Sequence, residues 1–326
     1  MSTISQNTDN CSNEVGMDSM ADPRIAAFCS HDQQEVFHAV ANPPDIWKPD
    51  PFDVESIHAD ARVTFERLVN RASNRVGPSS GRILLLQGEA GSGKTHLMRA
   101  FRNWAHAGGR GYYGYMQMTT ATNHYGRYVL NNLIDSLDHP YYEPDGEVSG
   151  LSRLSTAIAE SARGVSIDRL DQIRSGELDH ECLARVIDAL ADQIIMDERF
   201  NNVDTDLVRA LLYLQANDPR IRSRVLKYLR CEDLSNHDSR LLGGTKPRIY
   251  DDAPQRLIMR LGELMMALEG APLILCVDQL EDIYDLDDAE VRFRRAMATL
   301  CGLVGAIPSA VVVISCLEDF YKQLSH

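Results

Sequence analysis

The chain has 326 residues, 44% hydrophobic and 25% charged, with 47 acidic against 33 basic side chains and a formal net charge of -14; it is long enough for one large domain with an insertion or for two smaller ones. That charge repels phosphate backbones and restricts nucleic-acid binding to a local patch or to sequence beyond residue 326. Cysteines 11, 29, 182, 231, 276, 301 and 316 lack C-x-x-C or Cys/His ligand spacing, and neither a secretory leader nor an apolar run near the roughly 18 residues of a membrane span is present, so the reading is cytoplasmic with free thiols and no membrane partner.

Residues 1–20, rich in Asn, Ser, Asp and Thr, read as a flexible tail. Residues 21–138 read as a lead-in followed by the first half of a nucleotide-binding core. Turns punctuate the segment from Pro43 to Val54, and Phe52, Val54 and Ile57, with Trp47, are candidate apolar anchors. A helix is expected from about Val54 to Arg71, ending before the turn Pro78-Ser79-Ser80-Gly81, and the strand at 82–87 is apolar throughout, as a covered parallel strand is.

The strand runs into Gly88-Glu89-Ala90-Gly91-Ser92-Gly93-Lys94-Thr95, a complete G-x-x-x-x-G-K-[ST] phosphate loop. Glycines allow successive N–H groups to turn around a β-phosphate, Lys94 reaches the β and γ oxygens, Thr95 ligates Mg²⁺, and the helix that follows directs its positive end at the anion. The expected nucleotide contacts are Gly88, Glu89, Ala90, Gly91, Ser92, Gly93, Lys94, Thr95 and His96. A helix over 94–106 stops at Gly108-Gly109, a strand follows over 112–118, and a helix starting at Thr120-Ala121-Thr122 carries Tyr125, Val129, Leu130, Leu133 and Leu137 at helical spacing. This is the opening of a βαβ nucleotide-binding sheet.

Residues 139–250 read as a helical insertion, with helical patterns at 151–161, 167–173, 181–195, 205–214 and 221–229. Residues 251–326 read as the second half of the core. A helix over 254–269 leads into the apolar strand Leu273 to Asp278, where a phosphate-loop enzyme places the carboxylate that holds the Mg²⁺ water shell. Hydrolysis also needs a group to position water. Gln279 follows Asp278 directly and cannot act as a carboxylate base. Glu281 is the nearest replacement, the alternative being an ordinary helix-starting acid. The final strand, 310–314, ends at Ser315, read either as a sensor of the γ-phosphate or as a small residue packed under the site. Arg292, Arg294 and Arg295 follow the Asp strand on a helix, as a solvated basic face or as the source of an arginine finger toward a neighbouring subunit.

These motifs resemble the Orc/Cdc6-like and STAND branches of the AAA+ P-loop ATPases, over about residues 50–324. Val277-Asp278-Gln279-Leu280-Glu281-Asp282 is similar to the Asp-Gln-aromatic-Glu-Glu form of STAND ATPases, and Val313 to Tyr321 resembles a segment where those proteins carry Leu-Arg-x-Asp-Phe, although Glu318 stands near the Arg position. Tyr228-Leu229-Arg230-Cys231-Glu232 with Leu241-Leu242-Gly243 is similar, with its Trp and Gly substituted, to a signature of ATPases in bacterial defence loci. The resemblance implies an α/β, three-layer P-loop NTPase with a parallel sheet and a helical insertion, lacking the C-terminal lid and so an N-terminal fragment or a truncated form.

It also implies an ATPase that uses ATP and Mg²⁺. Lys94, Thr95 and Asp278 hold the nucleotide and metal, while Glu281, Gln279 and Ser315 act on the water or γ-phosphate. The expectation is a slowly hydrolysing assembly or signalling switch, in a homo-oligomer or with an effector protein, in prokaryotic defence. A DNA- or protein-remodelling motor and a nucleotide-stabilised adaptor are the alternatives.

Overall fold

A computed structural model describes residues 46–48, 53–74, 80–119, 122–143, 146–162, 167–200, 203–284 and 288–324. The expected flexible tail at 1–20 and the anchor Phe52 lie outside these residues. The elements in chain order are α1 (Ala59–Ser73), β1 (Arg82–Gly88), α2 (Lys94–His106), β2 (Tyr112–Gln117), α3 (Tyr125–Asp138), β3 (Pro140–Glu143), β4 (Gly146–Ser149), α4 (Gly150–Ser161), α5 (Ile167–Ser175) and α6 (His180–Ile195). They continue with α7 (Thr205–Tyr213), α8 (Pro219–Leu229), α9 (Asn236–Leu241), α10 (Ala253–Glu269), β5 (Leu273–Asp278), α11 (Ala289–Ala306), β6 (Val311–Leu317) and α12 (Glu318–Leu324). No helix among the described residues is long and apolar enough to cross a membrane.

Four strands form a parallel sheet in the order β1-β6-β5-β2. This brings the loop after β1 and the carboxylate ending β5 to the same edge, since both follow the carboxyl ends of parallel strands. Alternation along each strand divides the core into two layers. Leu273, Leu275 and Val277 of β5 pack with Val312 and Ile314 of β6 on one face, while Ile274, Cys276, Val311 and Val313 face the other with α1 and α2. Tyr112 and Met116 join the first layer, and Tyr113 and Tyr115 join the second.

The expected insertion is helical over most of its length, but it begins with an antiparallel hairpin, β3–β4, that periodicity over so few residues does not announce. Its helices start where acceptor side chains satisfy first-turn N–H groups. Ser149, Asp179, Asp204, Asp218 and Ser235 each accept one such bond, worth about 1 kcal/mol apiece. Leu151, Leu154 and Ile158 of α4 and Leu207 and Leu211 of α7 belong to the same buried cluster as Leu133 of α3 and Leu261 of α10. The insertion therefore extends the core of the sheet.

Three local expectations are corrected. The lead-in is not anchored by Val54 and Ile57, which are exposed. Its ties are polar, with both Arg62 terminal nitrogens donating to Asp53, while Ile46 and Trp47 supply the buried apolar contact. Trp47 stacks on His139 and packs edge-on to Tyr113, with the Arg102 guanidinium 5.1 Å from its ring centre. The first helix starts at Ala59 rather than near Val54, because His58 adopts a left-handed conformation (φ 56°) that an α-helix cannot include. Finally, β1 is not covered along its length. Ile83 is 44% and Leu85 38% exposed, because β1 lies at an edge of the described sheet with β6 as its described neighbour. Two further boundaries move: β6 runs to Leu317, held by the Gly88–Leu317 register, and α3 begins at Tyr125, with Thr120 and Ala121 outside the described residues.

His106 ends α2 buried against Tyr113. Burial, reinforced by the charges of Arg102 and Arg153, pushes its imidazole down to about 2. An unfolded chain takes up this proton near pH 6.5 and the folded chain does not, so the stabilisation is complete above about pH 6.5 and declines as pH falls toward 2. From pH 7.5 to 5.5 the free energy of unfolding should fall by about 1.4 kcal/mol on this account. Urea titrations of His106→Phe should lose that slope; an unchanged slope would refute a neutral buried imidazole.

Candidate functional site

The phosphate loop is shaped by glycines where the backbone requires them. Gly91 and Gly93 have φ of 74° and 86°, a region that L side chains rarely adopt, and Gly93 is the residue from which α2 starts. A Cβ on Gly88 would lie 2.6 Å from the Ser92 hydroxyl oxygen. The turn is closed by Ser92 N–H donating to Glu89 O at 3.2 Å. Lys94 Nζ donates back across the loop, to Gly88 O at 3.0 Å and Glu89 O at 2.9 Å, which holds its ammonium over the turn.

Asp278 is the centre of the site. It is 1% exposed at the end of β5, and its carboxylate accepts from four elements. Thr95 Oγ1, in the first turn of α2, donates to Oδ2 at 2.6 Å, and the Tyr115 hydroxyl of β2 donates to the same oxygen at 3.1 Å. Ser315 Oγ of β6 donates to Oδ1, which also receives the Gln279 N–H at 3.1 Å. A buried carboxylate is strongly stabilised by such a set of donors. Burial, with the Asp278 charge adding to it, raises the Tyr115 phenol above its ordinary range, so it remains a neutral donor.

Sequence reasoning missed Tyr115. Its only signal is that a tyrosine in an otherwise apolar strand needs a partner for its hydroxyl when buried. Also missed were the ties from the lead-in: His58 Nε2 lies 2.8 Å from Ser92 O, and His96 Nε2 lies 3.4 Å from Asp53 Oδ1. His96 is thus turned toward the lead-in. Asp53 would be raised by its burial, but the hydrogen bonds and charge of Arg62, with His96 adding to them, hold it below the usual carboxylate range.

The other candidates are placed as follows. Gln279 has φ 56°, and its N–H also reaches Ser315 Oγ at 3.2 Å, so its backbone is part of the Asp278 network. Ser315 is fully buried with its hydroxyl committed to Asp278, an arrangement closer to the packed reading than to a sensor. Glu281 lies in the 3-10 turn Leu280–Tyr284, and its Oε2 accepts the Leu317 N–H at 3.1 Å. The Cys316 thiol, raised by burial, lies within electrostatic reach of both Glu281 and Lys94, on the phosphate-loop side of the sheet. Arg294 pairs with Glu290 at 2.5 Å on its own helix, and Arg292 and Arg295 lie within electrostatic reach of Tyr125.

Thr95 and Asp278 bring a hydroxyl and a carboxylate together, the hard oxygen donors that suit Mg²⁺. No group of three or more His, Cys, Asp or Glu side chains among the described residues could hold a metal ion. The donor set therefore fits a cation carried by phosphates better than one caged by protein alone.

Compared with known proteins, the chain matches the family model for an AAA ATPase domain over residues 63–314. No curated protein and no solved structure gives a significant match. The network around Asp278 makes a prediction of its own. Ser315→Ala leaves a buried carboxylate short of one donor and should lower stability by about 1–3 kcal/mol. Urea denaturation would measure this, and a change below about 0.5 kcal/mol would mean that the hydroxyl contributes little.

Proposed function

We propose, because the chain belongs to the AAA ATPase domain family, that it binds Mg²⁺-ATP and acts as a slowly hydrolysing, nucleotide-dependent switch for assembly or signalling. The observation that carries this reading is the position of Glu281. The residue after Asp278 is a glutamine, and the nearest carboxylate capable of activating water is bonded to the end of β6 at Leu317 N–H. That bond holds Oε2, and a proton from water would go to Oε1, so the position of the base is tied to the end of β6.

The loop residues would bind the phosphates. Lys94 would exchange the Gly88 and Glu89 carbonyls for phosphate oxygens, a substitution its three N–H donors permit. Thr95 and Asp278 would hold Mg²⁺, which when bound supplies charge neutralisation at the phosphates. Tyr115 and Ser315 orient Asp278 from either side.

Output that follows ATP occupancy, with turnover as the reset, is what a nucleotide switch requires. The net charge of -14 favours a protein partner or a second copy of the chain over nucleic acid. The likeness to STAND and Orc/Cdc6-like ATPases supports a cytoplasmic role in prokaryotic defence.

Lys94→Ala should weaken ATP binding at least about tenfold, since it removes the cation that meets the phosphates. Glu281→Gln should retain binding and reduce turnover by about 10²–10⁴-fold, the usual contribution of a positioned base. Equilibrium binding, single-turnover hydrolysis and mass measured with and without ATP would test both variants. Wild-type turnover preserved in Glu281→Gln, or assembly that ignores Lys94→Ala, would reject the reading.

A further inference from the structure

A second concave site lies in the helical half of the molecule, at the start of α10. Tyr228 of α8, Arg248 and Tyr250 from the segment before α10, Arg256 and Arg260 on α10, and Asp204 surround a cavity of about 80 Å³. That is several times the roughly 10–15 Å³ needed by one water, and on the scale of a tetrahedral oxyanion. It shares no residue with the phosphate loop or the Asp278 network.

The lining is unequal in charge, three guanidinium groups against the single carboxylate of Asp204. Arg248 pairs with Asp204 at 2.7 Å, Arg256 Nε with Asp252 at 2.8 Å, and Arg260 with Glu263 at 2.7 Å. A guanidinium carries five N–H donors, so each pairing leaves donors for a further acceptor. Arg256 also lies over the Tyr250 ring, 5.6 Å from its centre.

The helix end itself is not the donor, since Ala253 N–H donates to Tyr250 O at 3.0 Å and Pro254 follows it. A further donor is Tyr228, which is 6% exposed, lines the cavity and, among the described residues, makes no hydrogen bond through its hydroxyl. Burial, then the charges of Asp204 and Asp206, raise its phenol above the ordinary range, so it presents a neutral O–H donor. That O–H lines the cavity and would donate to an acceptor held there.

We propose that this cavity is a binding site for a phosphoryl group, held by Arg248, Arg256 and Arg260 with the Tyr228 hydroxyl. The guanidinium charges are balanced by Asp204, Asp252 and Glu263, so the preference for a phosphoryl group rests on the arginine forks, whose planar donors suit its oxygens. The group comes either from free phosphate or from a small phosphomonoester. The site does not depend on ATP binding at the phosphate loop.

The test is calorimetric titration of the full chain carrying Lys94→Ala, which removes the main phosphate contact of the nucleotide site. Inorganic phosphate and glycerol phosphate are the probes, with chloride as the control. Saturable binding of at least one probe is expected. It should weaken about tenfold or more when Arg256→Ala and Arg260→Ala are added. Adding Tyr228→Phe instead, which keeps the packed ring, should weaken it about threefold to tenfold with an unchanged melting temperature. Tighter binding of glycerol phosphate identifies a phosphomonoester as the source, and tighter binding of phosphate identifies the free ion. Absence of binding by both probes, or binding that neither the arginine pair nor Tyr228→Phe diminishes, overturns the proposal.

Discussion

The buried carboxylate of Asp278 is the constraint on which the rest of the site depends. An ionised group with 1% exposure persists only when its oxygens are satisfied, and here the donors come from β2, α2, β6 and the turn after β5. Thr95 is 183 positions away in sequence. Each donor is correctly placed only if the sheet order is β1-β6-β5-β2, because that order puts β6 and β2 on either side of β5. Satisfying one side chain therefore fixes the topology, the loop that follows β1 and the start of α2.

Much of this was legible in the chain because its signals are local. The glycine spacing of the phosphate loop, the strand before it and the helix after it stand within 25 residues, and the apolar run ending in Asp278 is equally self-contained. What escaped was non-local. Tyr115 reads as one more aromatic in a core strand, and only the pairing of β2 with β5 brings its hydroxyl to Asp278. The role of Ser315 depends on the pairing of β5 with β6 in the same way. Val54 and Ile57 were misread because apolar character does not say which residues face inward, and a single left-handed residue, His58, changed the path of the chain.

The helical character of residues 150–241 was legible as a change of pattern, yet the way these helices join the core was not. A helical segment joined to a sheet could have its own core, but here α3 and α10 have apolar residues facing both ways. Leu133 and Leu261 lie in one cluster with the sheet residues Leu275 and Val277 and with Leu154 and Leu211 of the insertion. Burial of large apolar side chains, at about 1.5–3 kcal/mol each, is thereby shared between the two parts. Arg153 of α4 adds a polar tie, meeting Glu269 of α10 at 2.7 Å, and the same carboxylate accepts from Tyr112 of β2. The cavity at the start of α10 sits on the helix that leads directly into β5, so the two sites lie at either end of one helix–strand unit.

The pairing of β1 with β6 also sets the order in which the molecule can be made. During synthesis β1 emerges well before its described partner, which pairs in register from Arg82 opposite Val311 to Gly88 opposite Leu317. Neighbouring helices between them, such as α6 with α7 and α7 with α8, close shorter loops than β1 and β6 do, and distant strand pairings are slow because a long loop must be closed first. The helical half can thus consolidate on the ribosome while the phosphate loop still lacks the neighbour that will hold it. Competence to bind nucleotide is consequently a late event in folding, reached only when β6 slots between β1 and β5.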